Sequence, residues 1–222
     1  QAFDAVFLGL GLAGVNALGL AGEDASGVVD AVDYIADLRQ ATDLSILPVG
    51  RRIAVIGGGM TAIDIAVQSR RLGADEVTIV YRRGPERMGA SQFERELAQS
   101  DGVHIRFNAT PVRLLASGGV VTAVEFENTV ERNGSLVGTG EPFVLEADMV
   151  FKAIGQSFVP LSLDNQPVTL EAGRIAVDDE RRTSLGDVWA GGDCVAGGSD
   201  LTVVAVEDGK IAAESIHRQL GT

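Results

Sequence analysis

A glycine-rich turn between an apolar run and a helical pattern constrains the fold of this chain more than any other feature. It lies in the stretch RIAVIGGGMTAIDIA at residues 52–66, where a buried parallel strand leads through glycines into an apolar-periodic helix. The turn reads G-x-G-x-x-A. In such a turn the first glycine permits the bend, the second lets the backbone approach a pyrophosphate, and a small third residue lets the helix pack against the strand. We therefore predict that a nucleotide phosphate binds at the helix N-terminus, on Gly57, Gly58, Gly59, Met60, Thr61 and Ala62.

The residues after the turn agree with this interpretation. The predicted helix ends near Leu72, before Gly73 in a typical C-terminal capping position, and Val77–Tyr81 reads as the next strand. The alternative is a glycine-rich turn in an unrelated α/β protein, because short motifs of this kind also occur by chance.

Two arginines, Arg82 and Arg83, stand where the second strand ends, 20 residues after Ala62. A site for NAD(H) usually carries Asp or Glu here, to hold the ribose 2′-hydroxyl. A carboxylate would repel a 2′-phosphate, whereas guanidinium groups bind it through charge-assisted hydrogen bonds. The pair therefore favours NADP(H) over NAD(H). The alternative is that both arginines simply end the strand in solvent.

Composition narrows the remaining classes of function. The chain has 222 residues and a formal net charge of −13, which argues against nucleic acid and against anionic membrane surfaces as partners. No apolar run is long enough to span a bilayer, and no secretory leader is recognisable. Cys194 is the only cysteine, and His104 and His217 lie in no metal-ligand spacing. We expect a cytoplasmic protein with no metal site in this chain.

A second G-x-G-x-x-G occurs near the start, at Gly9, Gly11 and Gly14. Gly19 and Gly22 interrupt the residues after it, so we expect only a turn or two of helix there, and we interpret this motif as a chance match. Further on, short alternating runs within residues 112–145 predict an antiparallel three-stranded meander. A buried strand, Met149–Gly155, then restores the parallel pattern.

The C-terminal stretch contains a second candidate cofactor site. The strand Asp187–Ala190 ends at Gly191, Gly192 and Asp193, and a long helix over residues 201–220 comes after it. Asp193 suits a carboxylate that accepts hydrogen bonds from a polyol, although an aspartate that caps the following loop would look the same in sequence. The start of the helix is again a place where an anion can bind.

These stretches together resemble the electron-entry flavoproteins, namely the glutamate synthase small chain and the NAD(P)H-accepting part of dihydropyrimidine dehydrogenase. The sequences MTAID at residues 60–64 and YRRG at residues 81–84 look closest to the small subunit of the bacterial dihydropyrimidine dehydrogenase. The resemblance implies FAD as a second cofactor, with Gly192 and Asp193 at the flavin and its ribityl chain, and Thr202 and Val203 at the isoalloxazine ring. Gly155 would then lie near the nicotinamide.

The family's cysteine-rich iron–sulfur region and its FAD-type glycine turn have no counterpart here, so we interpret the sequence as a truncated chain. The expected fold is α/β: a Rossmann-like parallel sheet with an antiparallel three-stranded meander, plus the partial C-terminal half of an FAD-binding domain. Residues 27–156 would form the NAD(P)-binding domain, residues 1–26 a crossover segment of the FAD domain, and residues 157–222 its C-terminal part. The chain as written would bind a nicotinamide nucleotide but not FAD, and an open sheet edge makes a homodimer possible.

The resemblance also implies a function. Electrons from NAD(P)H would pass through FAD and through iron–sulfur clusters outside this chain to a partner, either a pyrimidine reductase or a large glutamate synthase chain. The sequence offers no convincing acid–base residue. A disulfide reductase is excluded for this chain because it needs a cysteine pair, and a non-catalytic NAD(P)-sensing module remains as an alternative of another class.

Overall fold

The computed structural model describes residues 3–159, 162–163 and 166–221. These residues fall into a central unit, Ala17–Gly155, and a flanking unit drawn from Gln1–Asn16 and Gln156–Thr222. The helices are α1 (Ala31–Gln40), α2 (Met60–Arg71), α3 (Gln92–Ser100) and α4 (Thr202–Leu220). The strands are β1 (Val6–Leu8), β2 (Gly14–Val15), β3 (Val28–Asp30), β4 (Arg52–Gly57), β5 (Glu76–Tyr81), β6 (Val103–Phe107), β7 (Ala109–Ser117), β8 (Val120–Arg132), β9 (Ser135–Glu146), β10 (Met149–Ala153), β11 (Gln156–Ser157), β12 (Ser162–Leu163), β13 (Gln166–Pro167), β14 (Leu170–Glu171), β15 (Arg174–Ile175) and β16 (Val188–Ala190).

The central unit is built on a five-stranded sheet in the order β3-β10-β4-β5-β6. Every neighbouring pair in it is parallel, and α1, α2 and α3 connect the successive strands β3, β4, β5 and β6. The parallel Rossmann-like sheet predicted from the sequence is thereby confirmed. All the strands of a parallel sheet point the same way, so the turn after β4 and the residues after β5 and β10 share one edge.

Side-chain alternation along β4 explains why the sheet has two buried faces. Ile53 and Val55 pack into one apolar cluster with the inner faces of α1, α2 and α3. Ala54 and Ile56 point the other way and pack against residues of the meander. A strand buried on both sides reads in sequence as the continuous apolar run that β4 shows.

The meander predicted from the sequence is confirmed as the three-stranded antiparallel sheet β7-β8-β9. Its strands are longer than the alternating runs indicated, because the outer parts of β8 and β9 are mostly exposed, with Thr129 as a buried exception, and carry no apolar alternation. Phe126 of β8 is fully buried against the parallel sheet and stacks on Phe143 of β9, with ring centroids 5.4 Å apart.

The flanking unit has its own small core. Strand β1 pairs in parallel with β16, and β2 pairs antiparallel with β11. Leu8, Ile175 and Ala190 belong to its apolar cluster. The indole N–H of fully buried Trp189 donates to the Ser215 hydroxyl at 3.0 Å, which ties α4 to β16. No helix within the described residues is long and apolar enough to span a membrane.

The short helix expected after Gly14 does not form. Gly14 instead begins β2, where an added Cβ would lie 2.5 Å from the Ser157 hydroxyl oxygen. Farther on, Gly19 and Gly22 adopt φ values of +69° and +85°, which end regular helix geometry. The motif at Gly9, Gly11 and Gly14 therefore has no helix N-terminus to offer a phosphate.

An ion-pair cluster lies at the carboxyl end of β10. Lys152 Nζ is 2.9 Å from Asp30 Oδ1 and 3.1 Å from Glu23 Oε1, and Glu23 also accepts the backbone N–H groups of Leu18 and Gly19. Burial opposes the charge on Glu23, yet these hydrogen bonds and Lys152 outweigh it and hold the pKa of Glu23 below its ordinary value. The pKa of Lys152 is raised: burial lowers it, and the hydrogen bonds to Asp30 and Glu23 outweigh that effect.

We expect Glu23→Gln to lower the free energy of unfolding by about 1–3 kcal/mol at pH 7, since hydrogen bonds to a charged group are lost. The folded-state pKa of Glu23 is depressed, so its contribution is present above the ordinary value of 4.5 and disappears as the pH falls through the folded value. The difference between wild type and variant should therefore shrink below pH 4.5 in chemical denaturation. Glu76→Gln, at an exposed position on β5, is the control. A difference that stays constant down to pH 3 would show that packing, and not charge, is responsible.

Candidate functional site

The turn between β4 and α2 brings the backbone unusually close to the neighbouring strand. Gly57 has a φ of +147°, and a Cβ built on it would lie 2.1 Å from the carbonyl oxygen of Ala153 on β10. No side chain fits in that space, so only glycine permits the chain to bend here while β4 stays paired with β10.

The next two glycines have different surroundings. A Cβ on Gly58 would lie 2.4 Å from the ring of Tyr81, and the Gly58 carbonyl accepts the N–H of Ala90 at 3.1 Å. Gly59 differs: among the described residues other than its own chain neighbours, no heavy atom lies within 4 Å of a Cβ built on it. Gly58 is therefore needed for packing, whereas Gly59 leaves its backbone open to an approaching ligand.

Helix α2 begins in a way that favours a bound anion. Gly59 is its N-cap and offers no side chain to the first-turn N–H groups, and the first turn contains no acidic residue. Met60 is 44% exposed, Thr61 is half-buried, and Ala62 is fully buried against the sheet. No carboxylate of the first turn therefore competes with an external anion for the N-terminal N–H groups and the positive end of the helix dipole.

Arg82 and Arg83 follow β5 at the same edge of the sheet. Their backbone carbonyls are fixed, because Arg82 O accepts the Thr129 hydroxyl at 2.7 Å and Arg83 O accepts the Asn108 N–H at 3.2 Å. Arg82 is exposed and Arg83 half-buried. Within the described part of the chain, neither guanidinium takes part in an ion pair. Unpaired guanidinium groups on a chain of net charge −13 are a suitable anion site.

Arg87 differs from this pair, since its guanidinium lies 3.3 Å from the Glu131 carboxylate.

Gly155, predicted near a nicotinamide, comes two residues after the end of β10 and has a φ of +97°. Because Ala153 is in register with Gly57, Gly155 follows β10 at the same edge as the glycine turn.

In the flanking unit, the glycines after β16 bring Asp193 next to Gly11. A Cβ on Gly11, whose φ is +64°, would lie 3.6 Å from Asp193 Oδ1. Asp193 is half-buried, and its carboxylate accepts no hydrogen bond from the residues described, so the loop-capping alternative has no bond here to support it. Thr202 and Val203 begin α4 nearby in sequence, and Val203 is 74% exposed.

Asp208 is a residue that the sequence reasoning missed. It is 2% exposed on α4, accepts the Gly192 N–H at 2.9 Å through Oδ2, and accepts Arg181 Nε at 2.8 Å through Oδ1. The buried carboxylate thus fixes the turn that precedes Asp193. One sequence signal was available in the spacing of Asp208, Ala212 and Ser215, which is that of one helix face; the structure shows that all three are buried.

Two other kinds of side chain, possible metal ligands and the cysteine thiol, complete the description of the chain. Across the described residues, no group of three or more His, Cys, Asp or Glu side chains could hold a metal ion. Cys194 is fully buried, with its Sγ 3.3 Å from the Gly191 carbonyl oxygen, as in a structural cysteine.

Curated proteins of related sequence cover this chain almost completely. It is 36% identical to the putative oxidoreductase AegA of Escherichia coli, an alignment that covers 100% of this chain and 37% of that protein. It is 35% identical to the glutamate synthase [NADPH] small chain of the same organism, over 98% of this chain and 51% of that one. The NADP(+)-dependent formate dehydrogenase subunit beta of Moorella thermoacetica is 34% identical, and the alignment covers 98% of this chain and 32% of that one. The chain therefore spans about a third to a half of the length of these relatives.

Solved structures show the same fold at lower sequence identity. Thioredoxin reductase from T. acidophilum matches with a TM-score of 0.76 and 24% identity, over 98% of this chain and 66% of that one. Mycobacterium tuberculosis FprA in complex with NADPH matches with a TM-score of 0.76 and 21% identity, over 99% of this chain and 64% of that one.

The family model described as pyridine nucleotide-disulphide oxidoreductase matches residues 1–209. That family binds FAD and NAD(P)H. The predicted resemblance to the glutamate synthase small chain is confirmed, because that protein is among the relatives and the family model covers most of the chain. The closer likeness to dihydropyrimidine dehydrogenase stays a prediction. This chain belongs to the pyridine nucleotide-disulphide oxidoreductase family.

Proposed function

We propose that this chain contains the NAD(P)H-binding domain and part of the FAD-binding domain of an NAD(P)H-oxidising flavoprotein subunit. In this proposal residues 27–156 form the nucleotide domain. The supporting observation is the arrangement at one sheet edge. There the open backbone of Gly59 starts a helix, and two guanidinium groups without an ion pair among the described residues follow the neighbouring strand. A dinucleotide phosphate needs the first feature, and an additional ribose phosphate needs the second.

The preferred nucleotide is NADP(H). NADP(H) and NAD(H) differ only at the ribose 2′ position, so selectivity depends on the groups that meet it. Arg82 and Arg83 are free of carboxylate partners within the described residues, and binding a phosphate therefore breaks no ion pair. Arg87, held by Glu131, has less positive charge to contribute.

FAD is the proposed second cofactor, and the residues of the flanking unit fit it. Asp193 offers a carboxylate with no hydrogen bond from the described residues, beside the side-chain-free Gly11, as a polyol chain requires. Gly192 is fixed by Asp208, and the first turn of α4, with Thr202 and Val203, is exposed. When bound, the flavin supplies the redox chemistry, accepting a hydride and releasing electrons one at a time. The protein binds and orients the cofactor.

The proposed electron acceptor is a partner subunit, reached through iron–sulfur clusters outside this chain. One buried cysteine cannot ligate a cluster, so the clusters need cysteines from elsewhere. Several relatives are subunits by name, among them the glutamate synthase small chain and the NADPH-Fe(3+) oxidoreductase subunit beta of Geobacter sulfurreducens. A pyrimidine reductase is the partner we propose first, and a large glutamate synthase chain is the alternative.

The visible absorption spectrum of the intact protein tests the flavoprotein assignment. A bound flavin absorbs in the visible range, and reduction by NADPH should bleach that absorbance. A colourless intact protein that still binds NADPH would support the nucleotide-sensing alternative instead.

The arginine pair generates a prediction about nucleotide choice. We expect the double substitution Arg82→Ala with Arg83→Ala to weaken NADP+ binding by about 1.5–3 kcal/mol, because charged hydrogen bonds to the phosphate are lost. NAD+ binding should change little in the same calorimetric titration. Arg132→Ala is the control, since Arg132 is also exposed and forms no ion pair among the described residues. Equal losses for both nucleotides would mean that the arginines only shape the loop.

The two inner glycines of the turn generate a second prediction. Gly58→Ala should lower the free energy of unfolding by about 1–3 kcal/mol, because the new methyl group overlaps the Tyr81 ring. Gly59→Ala should cost less than about 1 kcal/mol, the usual size of an N-cap effect, yet weaken the binding of both nucleotides. Thermal unfolding and calorimetry separate the two effects. Unchanged nucleotide affinity in Gly59→Ala would place the phosphate elsewhere.

A further inference from the structure

The hairpin β8–β9 changes register partway along its length. Glu127 pairs with Pro142 and Thr129 with Gly138, so Asn128 alone faces residues 139–141. The Glu127 carboxylate accepts the Gly140 N–H inside this bulge. Bulges bend a hairpin and re-aim its side chains, and here the bulge sets apart an outer hairpin, residues 129–138.

One face of the outer hairpin contacts the segment that contains the arginine pair. Thr129 and Glu131 alternate on β8 and so share a face. The Thr129 hydroxyl donates to the carbonyl of Arg82 at 2.7 Å, and the Glu131 carboxylate lies 3.3 Å from the Arg87 guanidinium. The outer hairpin is thus attached at both ends of the segment Arg82–Arg87.

Asn108 joins the same network through its backbone. Its N–H donates to the Arg83 carbonyl at 3.2 Å, and its own carbonyl accepts the Thr129 N–H at 2.8 Å. Asn108 has a φ of +57°, a conformation that asparagine tolerates better than most residues. Two successive carbonyls, those of Arg82 and Arg83, are therefore held by one connected set of hydrogen bonds.

Thr129 is the buried centre of this network. It is 4% exposed, whereas its neighbours Val130, Glu131 and Arg132 are exposed. A hydroxyl buried on an otherwise solvated hairpin costs free energy unless it forms a hydrogen bond, and its bond is to Arg82. Because the Arg82 and Arg83 side chains have no ion pair of their own among the described residues, the backbone is what directs them.

We propose that Thr129 is a positioning residue for nucleotide selectivity, holding the Arg82–Arg83 backbone so that both guanidinium groups face the ribose phosphate. This inference rests on the proposed NADP(H) function of the arginine pair. The role proposed for Thr129 concerns only the recognition of the 2′-phosphate. Within the described residues, the Thr129 hydroxyl donates to the Arg82 carbonyl and forms no hydrogen bond with the glycine turn or the start of α2, the parts proposed to bind both nucleotides.

The test compares NADP+ and NAD+ binding by calorimetry in the intact protein, with oxidised nucleotides so that no turnover occurs. Thr129→Val keeps the shape and removes the hydroxyl. We expect NADP+ affinity to fall about 3- to 10-fold, which is the usual contribution of one hydrogen bond. NAD+ affinity should stay within about 2-fold of the wild-type value. Thr129→Ser, which restores a donor, should recover most of the NADP+ affinity.

Thr122→Val is the matched control, because Thr122 also lies on β8 and donates its hydroxyl to a backbone carbonyl, that of Leu115 at 3.2 Å. It should leave both affinities unchanged. Thermal unfolding verifies that each variant is folded. If Thr129→Val does not fold, Thr129→Cys replaces it, since a thiol is a weak donor, with the same expected order of affinities.

Two results would overturn the inference: Thr129→Val binding NADP+ as tightly as wild type, or losing NADP+ and NAD+ affinity equally. The arginine double variant keeps this test separate from the proposed function. If that variant loses NADP+ selectivity while Thr129→Val retains it, only the positioning role is wrong. If the arginine variant also keeps full selectivity, the proposed 2′-phosphate site is wrong.

Discussion

The close approach of Gly57 to the carbonyl of Ala153 is the constraint on which the proposed nucleotide site depends. At a φ of +147° the chain leaves β4 against its neighbour β10, and α2 can begin within three residues of the strand. Ala62, fully buried, then lets the helix pack directly on the sheet. A larger residue at position 57 would move the start of α2 away from the edge at which β5 and β10 also end.

The charge distribution follows from that geometry. A helix start with no acidic residue lies at one edge of a unit within a strongly acidic chain, beside two guanidinium groups that form no ion pair among the described residues. Most other arginines are bound to carboxylates or carbonyls, as Arg181 is to Asp208 and Arg70 is to the carbonyl of Asp75. The local absence of partners, more than the number of arginines, is what makes this edge suited to a phosphate.

The sequence predicted those parts of the structure that depend on local pattern. The strand–turn–helix unit and the antiparallel meander both follow from periodicity and turn residues, and both are present. The failure after Gly14 came from strand pairing, because Gly14 and Val15 pair with Ser157 and Gln156, which only the folded chain brings close. Asp208 and Thr129 were missed because their importance lies in partners 16 and 47 residues away, Gly192 and Arg82, which only the folded chain brings close.

The most direct test of the central claim, that the edge formed by the glycine turn and the arginine pair recognises a 2′-phosphate, compares two isomers of equal charge. Calorimetry with 2′,5′-ADP and 3′,5′-ADP isolates the position of the phosphate from general attraction to an anion. The account predicts that 2′,5′-ADP binds at least about tenfold more tightly, as charged hydrogen bonds of defined geometry require. Equal affinities for the two isomers would contradict it.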